Sequence, residues 1–183
     1  LTSLVSAYGI TAIAAYGITG KLETILFYPA MALNMVLTTI TGQCFGANRR
    51  DRAKDYLVCG LKYGCSLLAL LSVWMVTFSK QLSGFFVKNP KAAAIVGAYF
   101  LIVGAGYVLN TVTNSFLGLL NGLGKPAYSM CLMIFYYLVV RMPLAGLLSH
   151  GGYGLNGIWT AVLISHVCAA VASGVVCALQ MKR

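Results

Sequence analysis

Polar residues in this chain gather in short clusters between long apolar runs. The runs are continuous rather than alternating, which predicts helices and not the strands of a lipid-embedded barrel. Five are prominent, at about Thr11–Gly42, Tyr56–Phe78, Ala92–Leu120, Ala127–Leu148 and Gly154–Leu179. Residues 1–8 (LTSLVSAY) read as the tail of a further span. A spanning helix needs about 20 apolar residues to cross a hydrocarbon layer of ~30 Å, and each run meets that length. Ser79–Lys91, Asn121–Pro126 and Ser149–Tyr153 connect them with Gly or Pro punctuation, and Ala47–Asp55 (ANRRDRAKD) is the most charged connection. The first run would reach about 48 Å at 1.5 Å per residue. It is therefore expected to bend or protrude, with Pro29 as the natural kink. Gly60/Gly64 and Gly118/Gly122 form small-xxx-small pairs that permit helices to approach closely.

Composition agrees with this pattern and narrows it. Of 183 residues, 60% are hydrophobic and 9% charged, and the mean hydropathy is +0.85. A soluble domain has too little polar surface at that balance to coat one core. Helices are required because lipid offers no partner to free backbone groups. The net charge of +10 sets topology rather than recruiting nucleic acid, since the Lys and Arg residues sit mainly between the spans. Arg49, Arg50, Arg52, Lys54, Lys125, Lys182 and Arg183 fall on one side by alternation, against Lys21, Lys80, Lys88 and Lys91 on the other. The positive-inside bias therefore predicts that residues 47–55 and the C-terminus are cytoplasmic. The six cysteines show no paired short spacing, so neither a metal site nor a disulfide frame is expected. The chain opens on Leu1 without a Met and reads as a fragment or a processed product.

Ionisable and amide groups within the spans are the candidates for function, because charge in hydrocarbon costs several kcal/mol. Glu23, Ala30, Asn34, Thr38 and Thr41 lie within about 60° of one another on a helix. This stripe predicts a face turned to a bundle interior or a wet cavity. Glu23 is then either a cavity carboxylate or a structural partner of Lys21 or Arg141. Lys21 cannot share a face with Glu23 and is expected to snorkel outward. Arg141, one turn after Tyr137, either lines the cavity or anchors its helix end beside Pro143. Tyr107, Asn110 and Asn114 share one face; the amides either bind a substrate or sodium, or bridge helices. His166 aligns with Trp159 and Ser173 and is read as a packing histidine, with a proton relay as the alternative. No nucleotide-binding loop is present: Gly118–Pro126 (GLLNGLGKP) has Pro where Ser or Thr is required. No cofactor is expected, and two histidines with three acids assemble no nucleophile–base or metal cluster of an enzyme.

With the spans in place, the sequence resembles the C-terminal lobe of the multidrug and toxic compound extrusion (MATE) family. The residues that carry the resemblance are Ala12–Ile18 (AIAAYGI), Phe27–Arg50 (FYPAMALNMVLTTITGQCFGANRR), Gly122–Pro126 (GLGKP), Arg141–Ala145 (RMPLA) and Gly157–Ala161 (GIWTA). The resemblance implies an all-α polytopic membrane protein, here a six-helix lobe comprising the tail of helix 7 and helices 8–12 of a two-lobe inverted V. It implies a secondary active antiporter that exports organic, often cationic, compounds in exchange for H⁺ or Na⁺ by alternating access. The expected setting is a bacterial plasma membrane, with lipid, a small organic substrate and a missing N-terminal lobe as partners and no nucleic acid. Glu23, Asn34, Tyr107, Asn110, Asn114, Tyr137 and Arg141 would line this half of the cavity, with Tyr28 adding an aromatic face. Pro29 and Pro143 would supply helix bends. Some members carry acids on helices 7 and 10; here the face of Tyr107–Leu120 carries Asn110 near the expected place and no acid. Two alternatives remain: a lipid-linked oligosaccharide flippase of a related branch, and a non-transporting membrane subunit.

Overall fold

The computed structural model describes residues 1–86 and 89–181. Lys88, Lys182 and Arg183, used in the charge count, lie outside the described residues. The described chain is a bundle of antiparallel rods: α1 (Thr2–Ser6), α2 (Ile10–Gly46), α3 (Arg50–Gly84) and α4 (Pro90–Gly122), then α5 (Pro126–Ile134), α6 (Met142–Leu148) and α7 (Gly154–Met181). A π-helical stretch, Phe135–Arg141, joins α5 to α6 in one rod. Its counterpart Ser149–Tyr153 is broken by Gly152 at φ 88°, and Gly154 follows at φ 58°. These left-handed backbone angles suit glycine, and they turn the chain so that the α5–α6 rod packs back along α7. The expected six-helix lobe is thus five full-length rods plus the five-residue stub α1.

The rods are longer than the apolar runs that announce them. The charged stretch Arg50–Asp55 is not loop but the first turns of α3, leaving Ala47–Arg49 as the link, with Asn48 at φ 55°. At its other end α3 continues to Gly84, six residues past the predicted boundary at Phe78. Hydropathy marks where hydrocarbon ends, whereas a helix continues into the interface as long as its backbone bonds close. At α4 the local signals are more exact. Asn89 caps the helix by accepting from the Lys91 N–H at 3.0 Å, and Pro90 occupies the first helical position. Helix α2 runs unbroken through Pro29. Its 37 residues extend about 55 Å at 1.5 Å each, so α2 protrudes from the layer. Pro143 occupies the second position of α6, directly after the π-helical stretch.

Packing radiates from α4, which touches α2, α3, α5 and α7. One core joins α2, α3, α4, α6 and α7 around Trp159, Phe100, Tyr107 and Ile158; a smaller one joins Leu37, Leu57, Leu119 and Cys177 at the other end. Outward faces carry large apolar side chains such as Leu70, Leu101 and Val171, all well exposed. Such surface needs apolar surroundings, as four segments of membrane-spanning length and hydropathy require.

Both glycine pairs lie at helix crossings. Gly60 and Gly64 of α3 receive Leu33 of α2. Gly118 and Gly122 admit the α2 backbone itself: an added Cβ would stand 2.6 Å from the Asn34 carbonyl oxygen and 2.5 Å from that of Thr38, respectively. Backbone cannot swing aside as a side-chain end can. In the full-length parent, Gly118→Ala and Gly122→Ala are each expected to cost about 1–3 kcal/mol. Gly46→Ala, where a Cβ meets nothing within 4 Å, should be neutral. Thermal unfolding in detergent checks this; equal melting for all three variants would refute the close contact.

Candidate functional site

The polar stripe of α2 divides at its middle. Toward the Gly46 end it is sealed: Asn34 Nδ2 donates to the Asn114 carbonyl of α4 at 3.0 Å, Thr38 bonds back to the Asn34 carbonyl, and Thr41 is fully buried. Asn34 therefore clips α2 to α4. Toward the other end the stripe opens on a recess of about 340 Å³, lined by Tyr16, Glu23, Phe27, Tyr137, Arg141 and His166 among others. Glu23 is fixed there by α4. Tyr107 donates to Glu23 Oε1 at 2.7 Å, and Tyr99 donates to the same oxygen. The two tyrosines are eight residues apart, so two turns of α4 present both hydroxyls on one face. Neither Lys21 nor Arg141 is a hydrogen-bond partner of this carboxylate.

Arg141 enters the recess from the α5–α6 rod and is buried, although it lies in a span. Its Nε donates to Ser165 Oγ at 2.8 Å, and its Nη2 lies 3.1 Å from His166 Nε2. The guanidinium carbon is 4.7 Å from the Tyr137 ring centre and 5.4 Å from that of Tyr136. The π-helical stretch explains why both rings reach it. Residues five apart diverge by about 140° on an α-helix, whereas the i→i+5 register of a π-helix stacks them. Tyr136 and Arg141 are so spaced. The Arg141 side chain turns into the bundle and lines the recess.

His166, Trp159 and Ser173 are all buried on the inner face of α7, as their alignment predicts. His166 also lines the recess, and an added Cβ at Gly106 would stand 3.0 Å from its ring, so α4 has a glycine where the histidine sits. Tyr107 is buried, edge-on to Phe27, so its hydroxyl rather than its ring serves the recess. A second recess of about 320 Å³ is lined by Tyr28, Met31, Asn110, Asn114 and Tyr137 among others, so Tyr137 borders both. Asn114 Nδ2 donates to the Asn110 carbonyl at 2.9 Å and to Asn110 Oδ1 at 3.3 Å. Sequence reasoning missed Tyr99, Tyr16, Tyr136 and Ser165. Tyr99 was within reach, two turns before Tyr107 on the face already marked by Asn110 and Asn114. Ser165 and Tyr136 owe their roles to the crossing of two rods and to the π register, which no spacing in the sequence announces. Among the described residues, no three His, Cys, Asp or Glu side chains stand together as metal ligands.

Long apolar rods enclosing a charged recess define a polytopic α-helical membrane protein. The chain belongs to the MatE family, whose model matches residues 1–147. The FAD transporter of Shewanella oneidensis is 27% identical over 164 residues, 88% of this chain and 36% of that protein. A probable multidrug resistance protein of Bacillus subtilis is 26% identical over 148 residues, 81% of this chain and 32% of the relative. The chain thus spans about a third of the length of the curated relatives it matches. Its fold is that of the Vibrio cholerae MATE transporter VcmN in the bent form, with a TM-score of 0.91, 18% identity, and coverage of 99% of this chain and 41% of that one. An outward-facing MATE transporter superposes with a TM-score of 0.85, 15% identity, and coverage of 99% of this chain and 40% of that one.

Since Tyr99 and Tyr107 share one acceptor oxygen, their contributions should be coupled. In the parent protein, Tyr99→Phe or Tyr107→Phe alone is expected to cost about 1 kcal/mol, because the other hydroxyl still satisfies Oε1. The double variant leaves the half-buried Oε1 without a protein donor and should exceed the sum of the singles by about 1 kcal/mol. A double-mutant cycle on unfolding measures this, and strict additivity would contradict the shared-acceptor geometry.

Proposed function

We propose that this lobe is the second half of an efflux antiporter, exporting organic compounds in exchange for H⁺ or Na⁺ by alternating access between its two lobes. The observation that carries the reading is Glu23: a carboxylate within a span, held by two tyrosine hydroxyls at the edge of a recess. A carboxylate in hydrocarbon is costly and marks an ion or substrate path. Placed where a solute can enter, it offers one site that a proton, a sodium ion or a cationic group can occupy in turn. Tyr16, Phe27 and Tyr137 supply aromatic faces around it. Named relatives differ in cargo, from FAD to drugs, so a recess combining aromatic rings with charge suits the breadth of the family.

The membrane orientation follows from charge. The end carrying Arg49, Arg50, Arg52, Lys54 and Lys125 faces the cytoplasm, and the Glu23–Arg141 recess lies in the outer half. The same membrane is a plasma membrane, as expected for a protein with bacterial relatives. The helix-bend roles of Pro29 and Pro143 belong to this mechanism. Each removes a backbone donor from a rod beside the recess, where a change of bend would open or close it.

Export of ethidium from proteoliposomes holding the full-length parent, under an imposed proton or sodium gradient, tests the reading. Glu23→Gln is expected to lower gradient-driven export at least tenfold and to flatten its dependence on pH. Unchanged export with an unchanged pH profile would remove Glu23 from the coupling path. Absence of export under either gradient would sink the efflux reading itself.

A further inference from the structure

The recess contains a positive charge that hydrogen-bonds to no carboxylate among the described residues. Arg141 is 7% exposed, and its hydrogen bonds go to Ser165 Oγ and His166 Nε2, both on α7. A guanidinium only donates, so His166 Nε2 must accept, and the ring is neutral with its proton on Nδ1. Glu23 is the carboxylate that lines the recess. Its Oε1 already accepts from Tyr99 and Tyr107, which tie it to α4 rather than to Arg141. Two aromatic faces and two neutral partners support the guanidinium without neutralising it. Five N–H donors stand in its planar fork, and two have partners in the lobe. The remaining donors belong to a group lining a recess of about 340 Å³, a volume that admits a small aromatic ligand.

We propose that Arg141 is the anion-recognising group of the recess, and that the lobe takes aromatic compounds bearing a carboxylate or phosphate. The anionic oxygens pair with the free donors of the guanidinium, for which their geometry is suited. The aromatic body lies against Tyr137 and Phe27, which line the same recess. Recognition then has two poles: Glu23 serves a cationic or donor group, and Arg141 an anionic one. The inference rests on the recess being a substrate site, and it assigns the anionic pole of the cargo to Arg141.

Binding to the purified full-length parent tests it with two matched pairs and one control. FMN and riboflavin share a ring system and differ by a phosphate; fluorescein and its methyl ester differ by a free carboxylate. Ethidium is an aromatic cation with no anionic group. The wild type should prefer FMN to riboflavin and fluorescein to its ester by tenfold or more. A preference in only one pair identifies which of the two anionic groups the site takes. In Arg141→Gln those preferences should fall below threefold. Arg141→Lys, which keeps the charge and loses the fork, should retain an intermediate preference. Equal affinity within both pairs in the wild type would overturn the inference, and that arm needs no variant to fold. So would a preference that persists undiminished in Arg141→Gln that still binds ethidium, or, if that variant does not fold, undiminished in Arg141→Lys. Failure of the wild type to bind all five compounds would instead overturn the substrate-site reading on which the inference stands.

Discussion

The contact between α2 and α4 at Gly118 and Gly122 sets the frame for the rest of the lobe. Two glycines let the α2 backbone approach so closely that no α4 side chain fits at either position. Asn34 then secures the pair through the Asn114 carbonyl. Two long helices fixed at one end keep their register along the remaining length, and at the other end that register matters chemically. It brings Glu23 of α2 between the hydroxyls of Tyr99 and Tyr107 of α4. Tight packing near one membrane face and a polar recess near the other are thus two consequences of one helix pair.

A comparable division of labour governs the α5–α6 rod. Regular α-helix would aim Tyr136 and Arg141 in different directions. The π-helical stretch reunites them, and Pro143 follows at the point where a donor is missing. The wider register places the guanidinium against two rings and within reach of Ser165 and His166 of α7. Energetically this is how a charge is kept within a span: aromatic faces and hydrogen bonds replace part of the lost hydration. The carboxylate on α2 and the guanidinium on the facing rod then give one recess two signs of charge.

Much of this architecture was legible in the chain. Continuous apolar runs placed the rods, but the cap Asn89-Pro90, a sharper start signal for α4 than hydropathy, fell within the stretch read as connection. The runs misplaced the ends of α3, because hydropathy reports the hydrocarbon boundary and Arg50–Asp55 is already helix outside it. The stripe on α2 was visible as periodicity, but periodicity could not tell a sealed face from an open one. That distinction depends on what lies opposite: glycine at Gly118 and Gly122, tyrosine at Tyr99 and Tyr107. Arg141 was ambiguous for a related reason. Its α-helical phase could not anticipate a π-helical segment, so the aromatic shelf and the α7 partners were hidden.

The division of α2 into a sealed and a water-reached half is the central claim, and cysteine accessibility probes it directly. In the full-length parent with its native cysteines replaced, single cysteines at Thr24 and Phe27 line recesses, whereas Leu37 and Thr41 face the buried crossing. A water-soluble thiosulfonate reagent should modify the first two at least tenfold faster than the second two. Equal rates at all four positions, or faster reaction at Leu37 and Thr41, would contradict the account.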